Sequence, residues 1–357
     1  MIYLTVGKYM NVGSVQELFS SRALVLVVLV LLLLLLIPIT SSLGLYRVTF
    51  LDVFKFFTSY KPHEEEFIVL WIRLRRVLAG AIIGAILGGA GAIAQAVFRN
   101  PLASPYTLGI SHAAALGVAV TLIIGYGGGT AYWFFTISRP YLLPFAAFML
   151  AFAQAILVLS LAYKAGLSPY ALILSSIALA SIYQALLALL QYLILNELQI
   201  ATIVFWTFGD LGRIGNTELT IMAIGFIPIA VLYMISSLDL DLLVLGDETS
   251  YASGVNPKNA RLKTITLATL GASLATSFAG VLAFLCLVAP HIARSIVGGS
   301  HRYLVPASIL LGSILLILSD TISRIALSPR VLPVGIVLSF LGAPLLIFML
   351  LRGSARW

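Results

Sequence analysis

The chain has 357 residues, of which 61% are hydrophobic and only 10% charged, and its mean hydropathy is +1.09. A soluble domain needs a largely polar surface, so this composition excludes one and makes lipid the solvent. The net charge of +8 comes from basic residues scattered through short loops and termini rather than one stripe, which points to lipid head groups and protein partners and away from nucleic acid.

A membrane span needs about 20 apolar residues, and ten spans are expected, at about 22–42, 70–98, 105–125, 141–163, 169–196, 218–237, 261–280, 282–298, 303–323 and 333–351. The fold class is therefore all-α: a polytopic membrane protein of about ten transmembrane helices, a single membrane domain over 1–357. The first run is read as a span and not a secretory signal, because no A-x-A-like site closes it and its apolar stretch exceeds the usual signal core. An even number of spans puts both termini on one side. Lys and Arg divide eleven against ten between the two sides, so the positive-inside rule does not choose an orientation.

Taken in chain order, the second span carries Gly80, Gly84, Gly88 and Gly91, small residues at a spacing that lets helix backbones approach closely in lipid. RNPLASP at 99–105 places two prolines and an Asn between apolar spans, which forces a rigid turn. A Gly-rich connection, GYGGGT, follows at 125–130, and the longest polar stretches are 43–69, 197–217 and 238–260. Within the last of these, LGDETSYASGVNP at 245–257 carries Asp247 and Glu248 and ends in Gly254 and a proline. A short surface helix capped at Asp247 and closed at Gly254 is expected there, either as an ordinary connection or as a docking helix for a soluble motor. Asp320 and Arg324, four apart, read as a helix ion pair.

Catalytic chemistry is hard to place. His63, His112, His291 and His301 are dispersed without an H-E-x-x-H spacing, and Cys286 is the single cysteine, so no intrachain disulfide can form. Ser111 and His112 are adjacent and point about 100° apart on a helix, which rules out a dyad between them. No P-loop sequence occurs, so energy must come from a partner or a gradient. Gradient-driven transporters usually carry carboxylates at mid-membrane, and these spans hold almost none. A secondary transporter and an embedded enzyme are the rival readings.

Six ordered segments carry a resemblance: IRLRRVLAG at 72–80, GAIAQAVFRNPLASPYTLGIS at 91–111, FWTFGDLG at 205–212, LGDETSYASG at 245–254, AGVLAFLCLVAPHIAR at 279–294 and LPVGIVLSFLGAP at 332–344. Together they resemble the permease subunits of type II ABC importers, which carry iron siderophores, haem, cobalamin and, in some members, molybdate or tungstate. The resemblance implies a homodimer in the cytoplasmic membrane with both termini inside, two cytoplasmic ATPase subunits that hold ATP-Mg, and an extracytoplasmic substrate-binding protein. It implies no cofactor or metal on this chain itself. Gly246, Asp247, Glu248 and Gly254 would lie in the helix that couples to the ATPase, within a segment of about 238–260. Arg73, Arg76 and Arg324 would meet glutamates on the binding protein, and Asn100, Leu102, Ser168 and Pro169 would form the cytoplasmic gate. The implied cargo is a metal chelate, iron-siderophore or haem, with cobalamin or an oxyanion such as molybdate as alternatives. The chain departs from the family pattern at His112 and Cys286, where glycine is usual, at Asp247, where glutamate is usual, and at Val331, where glutamate usually precedes LPVG.

Overall fold

A computed structural model describes residues 12–351 apart from 45, 47, 59–64, 127–131 and 283, so most of the glycine-rich piece at 125–130 and both extreme termini lie outside the described residues. Among the described residues there are fourteen α-helices and no strands: α1 Val12–Ser42, α2 Phe50–Thr58, α3 Glu65–Phe98, α4 Ile110–Tyr126, α5 Tyr132–Lys164, α6 Pro169–Leu193, α7 Glu197–Thr207, α8 Asn216–Ile235, α9 Ser237–Leu245, α10 Asp247–Ala252, α11 Pro257–Ala279, α12 Leu285–Val297, α13 His301–Ile325 and α14 Val334–Leu351. Ten of them, all except α2, α7, α9 and α10, fall on the ten expected spans. Six are long and apolar enough to cross a membrane unaided.

α3 and α13 form the centre of the bundle. Their contact is a ridge of small residues: a methyl group on Gly84 would strike the Gly312 carbonyl, and one on Gly88 would strike Ser308. Side-chain absence at these positions is what lets two backbones approach in a solvent that supplies no hydrophobic drive between helices. α1 packs on this pair but leaves Leu24, Val27, Leu31 and Leu34 exposed, as a lipid-facing helix must. Its last turn closes on itself, with Thr40, Ser41 and Ser42 donating their hydroxyls to the carbonyls of Leu36, Ile37 and Ile39 at 2.8, 2.7 and 2.7 Å.

α11 and α12 are less regular. α11 is rich in Ala, Thr and Ser and is nonetheless interior, because Thr264 and Thr269 return their hydroxyls to the carbonyls of Ala260 and Ile265 at 2.8 and 2.9 Å. It stops at Gly280, whose φ of +79° suits glycine and whose Cα faces the Trp206 carbonyl too closely for a side chain. α12 has only 13 residues, about 20 Å of helix. Between the two helices two backbone groups find partners outside the helices: Asp210 N–H donates to the Ala279 carbonyl at 2.8 Å and Leu282 N–H to the Tyr106 hydroxyl at 3.4 Å. Irregular backbone is tolerable inside a membrane protein on that condition.

Besides the expected α10, three helices occupy stretches read from sequence as polar connections. α2 lies in 43–69, α7 in 197–217 and α9 in 238–260. α7 begins with a capping box, in which Asn196 accepts from Gln199 N–H at 2.9 Å and Gln199 accepts from Asn196 N–H at 3.0 Å.

Candidate functional site

Each charged cluster lies near one end of α3. Arg76 and Arg99 are 23 residues apart on or just beyond this helix, about 34 Å along its axis.

At the Arg99 end, α9 and α10 meet at an elbow made by Gly246, with φ +120° and ψ +158°. Ser250 is fully buried there and lies 2.8 Å from the Leu242 carbonyl and 2.7 Å from the Gly246 carbonyl. The helix expected around Asp247 exists as α10, and the chain after it turns at Gly254, with φ +84°. Asp247 is not its cap, however. The N-cap position is Gly246, and the Asp247 carboxylate turns away to two arginines. Arg261 donates to it at 2.7 and 3.3 Å, and the Arg99 guanidinium bonds the same Oδ1. The Arg261 hydrogen bond, helped by both positive charges, holds the Asp247 carboxyl below the usual range against the opposing effect of its partial burial. Glu248 and Tyr251 stay exposed, and a cleft of about 690 Å³ runs past Asp247, Glu248, Tyr251 and Asn256 to Lys258.

The proposed gate residues lie beside this cluster. Asn100 accepts from Leu102 N–H at 2.9 Å and so fixes the turn after α3, leaving the Leu102 side chain exposed. Ser168 caps α6 by accepting from Ala171 N–H at 3.1 Å, with Pro169 at the first helical position. The buried Arg261 donates to the Leu167 carbonyl at 2.9 Å, so one side chain links that turn to Asp247. A second tie runs from α9 to α13: Asp241 accepts from His301 N–H at 2.8 Å and lies 2.7 Å from its Nδ1. Burial pushes the Asp241 carboxyl up, but the hydrogen bonds from His301 outweigh it and leave it lowered.

At the other end Asp320, 1% exposed, is gripped by Arg76 at 2.7 Å and Arg324 at 3.1 Å. Arg324 also donates to the carbonyls of Leu43 and Thr40 at 2.9 and 3.0 Å, and Arg76 lies 3.4 Å from Asp210. Arg73 donates to the carbonyls of Ser42 and Tyr46 at 3.1 and 2.9 Å. The three arginines therefore gather at one end, and each is engaged within the chain. Their neighbours Trp71 and Arg75 share the Asn216 side-chain oxygen at 3.2 Å each.

Sequence reasoning missed Arg99 and Arg261 as members of the site and missed Arg76 as the second partner of Asp320. The i,i+4 spacing signals Asp320 with Arg324, whereas the other contacts join distant stretches of chain. Among the described residues no group of His, Cys, Asp and Glu is arranged to hold a metal ion.

Comparison with known proteins places these features in context. The model of the FecCD transport family matches residues 12–352. A protein of Methanocaldococcus jannaschii, named as an ABC transporter permease, is 40% identical over 88% of this chain and 90% of its own length. The Fe(3+)-citrate import system permease of Bacillus subtilis is 35% identical over 81% and 83%, and the hemin transport system permease of Yersinia pestis 33% identical over 79% and 82%. A solved inward-facing structure, described as a metal-chelate type ABC transporter, superposes with a TM-score of 0.79 at 26% identity and covers 92% of this chain and 99% of that one.

Proposed function

The chain belongs to the FecCD transport family and is an integral membrane permease of the ABC transporter class, and we propose that it imports a ferric chelate or haem. What supports this cargo is that relatives similar over about four fifths of the chain are named for ferric citrate and haem. The permease works as a homodimer in the cytoplasmic membrane with both termini inside. It has no P-loop, and ATP-Mg is held by two ATPase subunits that dock on Gly246, Asp247, Glu248 and Gly254. The observation that carries this docking is the exposed helix α10 beside its cleft, with Glu248 and Tyr251 on the outside and the half-exposed Asp247 tied to Arg99 and Arg261. Asn100, Leu102, Ser168 and Pro169 form the gate above it.

An extracytoplasmic binding protein docks at the far end, around Arg73, Arg76 and Arg324. Because these arginines already hold the chain near 40–46 and Asp320, their part is to shape that surface, and a partner's carboxylate competes for them. The direct test is uptake of radioactive ferric citrate or haem by proteoliposomes that contain the permease, its ATPase and its binding protein. ATP-dependent accumulation of either cargo is expected, with no hydrolysis by the permease alone. ATP-dependent uptake of cobalamin or molybdate in place of both would overturn the cargo, and uptake driven by an ion gradient without the ATPase would overturn the class.

A further inference from the structure

The two turns assigned to the gate share an unusual backbone. Among the described residues three non-glycine residues have positive φ, and two of them are Arg99 at +48° and Leu167 at +55°. Each immediately precedes a gate residue, Asn100 or Ser168. Side chains avoid this region, and such conformations persist only where the surroundings hold them. Backbone bonds close each turn, from Asn100 N–H to the Gln95 carbonyl at 3.1 Å and from Leu167 N–H to the Ala162 carbonyl at 2.6 Å, and the arginines that brace the two turns converge on one carboxylate. Arg99 donates to the Leu243 carbonyl at 2.8 Å through Nε and to Asp247 Oδ1 through Nη2. Arg261, 1% exposed, donates from a single nitrogen, Nη1, to the Leu167 carbonyl at 2.9 Å and to Asp247 Oδ2 at 3.3 Å, while Nη2 reaches Oδ1 at 2.7 Å.

We propose that Asp247 is a latch common to both gate turns, with Arg99 and Arg261 as positioning residues that convert displacement of α10 into movement of 99–102 and 167–169. The reasoning follows from the sharing. When the ATPase draws α10 aside, both arginines lose the same anion in one event, so the two turns are released together. Arg261 cannot follow Asp247 without dragging or dropping the Leu167 carbonyl, because one nitrogen serves both. Arg99 likewise carries the α9 carbonyl and the turn after α3 on one guanidinium. On the α10 side the carboxylate is half exposed, so water can take the place of the arginines there when the latch opens, and the buried Arg261 is left with the Leu167 carbonyl as its partner.

This inference rests on the reading of α10 as the ATPase-coupling helix, and the experiment separates the two. Two reporters are built in the full complex, Leu102→Cys on the first turn and Tyr170→Cys beside the second. Both positions are exposed, and the native Cys286 is buried. Their labelling by a membrane-impermeant maleimide is compared in the nucleotide-free complex and in one trapped with a non-hydrolysable ATP analogue. In the otherwise native complex both rates should change by about tenfold, a modest population shift. Arg99→Gln should silence the response of the Leu102 reporter only, Arg261→Lys that of the Tyr170 reporter only, and Asp247→Asn both. A general loss of structure would alter both reporters alike in every variant, and that pattern overturns the proposal. So do reporters that keep their full response in all three variants. If the native complex gives no nucleotide response at either position while the ATPase is bound, the coupling reading itself is wrong. Should Arg261→Lys fail to assemble, Arg261→Gln, which retains one donor, replaces it with the same two outcomes.

Discussion

Two carboxylates in this bundle, Asp320 and Asp247, are each shared by two arginines, and the settings differ in every other respect. Asp320 lies on the 25-residue helix α13, is almost wholly buried, and its arginines reach on to the carbonyls of Thr40 and Leu43. Asp247 lies on a six-residue helix at the surface, is about half exposed, and its arginines reach the turns at 99 and 167. Removing the anion from a wholly buried cluster strands unpaired charge, while a cluster whose anion is open to water loses less. The same chemistry therefore makes a brace at one end and a releasable joint at the other, and the difference lies in depth and in the length of the element that carries the anion.

The contrast is sharpest in stability. Asp320→Asn leaves Arg76 and Arg324 facing each other without their anion, and should destabilise the detergent-solubilised protein by about 3–5 kcal/mol, read as a collapse of folded yield or a large drop in melting temperature. A variant that melts like the native protein would remove the brace from the comparison. Gly84→Ala comes next, since the added methyl meets the Gly312 backbone, and overpacking of this kind costs about 1–3 kcal/mol. Its melting temperature should fall less than that of Asp320→Asn but clearly, and an unchanged value would mean that α3 and α13 can slide apart freely.

Asp247→Asn should cost less than Asp320→Asn, about 1–3 kcal/mol, because the carboxylate is half exposed while the buried Arg261 keeps the Leu167 carbonyl as a partner, visible as a moderate melting shift in a protein that inserts and folds normally. A loss as large as that of Asp320→Asn would make the two ends equivalent. The pH dependence is smaller still and has a definite sign. A carboxyl whose folded pKa is lowered contributes its full stability above its unfolded value and loses it as pH falls through the folded value. The melting difference between native protein and Asp247→Asn should thus stay constant from pH 5 to 8 and shrink only below pH 3.8, the ordinary value. A difference that fades between pH 5 and 8 would contradict the arginine pairing.

How much of this was legible in the sequence follows the same division between local and distant contacts. The ten spans were readable because apolar runs of membrane length are a strong signal, and even α11, with its many Thr and Ser, stood out between its flanking breaks. The glycine ridge was readable as spacing on α3, although its partner on α13 was not. α7 is hidden within the polar stretch 197–217, although the capping pair Asn196 and Gln199 marks its start. At the candidate site the ends of each element were legible: Asn100 after α3, Pro169 at the start of α6, and the glycines around α10. The joint between them was not. Arg99 and Arg261 sit 148 and 14 residues from Asp247, and an arginine in a basic loop gives no sign in one sequence of which carboxylate it will reach. The capping role given to Asp247 failed for the same reason, since two arginines outcompete a single backbone N–H.

The measurement that bears most directly on the account is stimulation of ATP hydrolysis by the loaded binding protein in the reconstituted complex, compared between native permease and Asp247→Asn. In the proposed assembly the signal from the binding-protein end crosses the bundle and passes through α10 to reach the ATPase. Stimulation should be present in the native complex and abolished in Asp247→Asn at equal amounts of assembled complex, with a melting temperature that falls less than that of Asp320→Asn. Full stimulation in Asp247→Asn would contradict the claim that the Asp247 joint connects the permease to its motor.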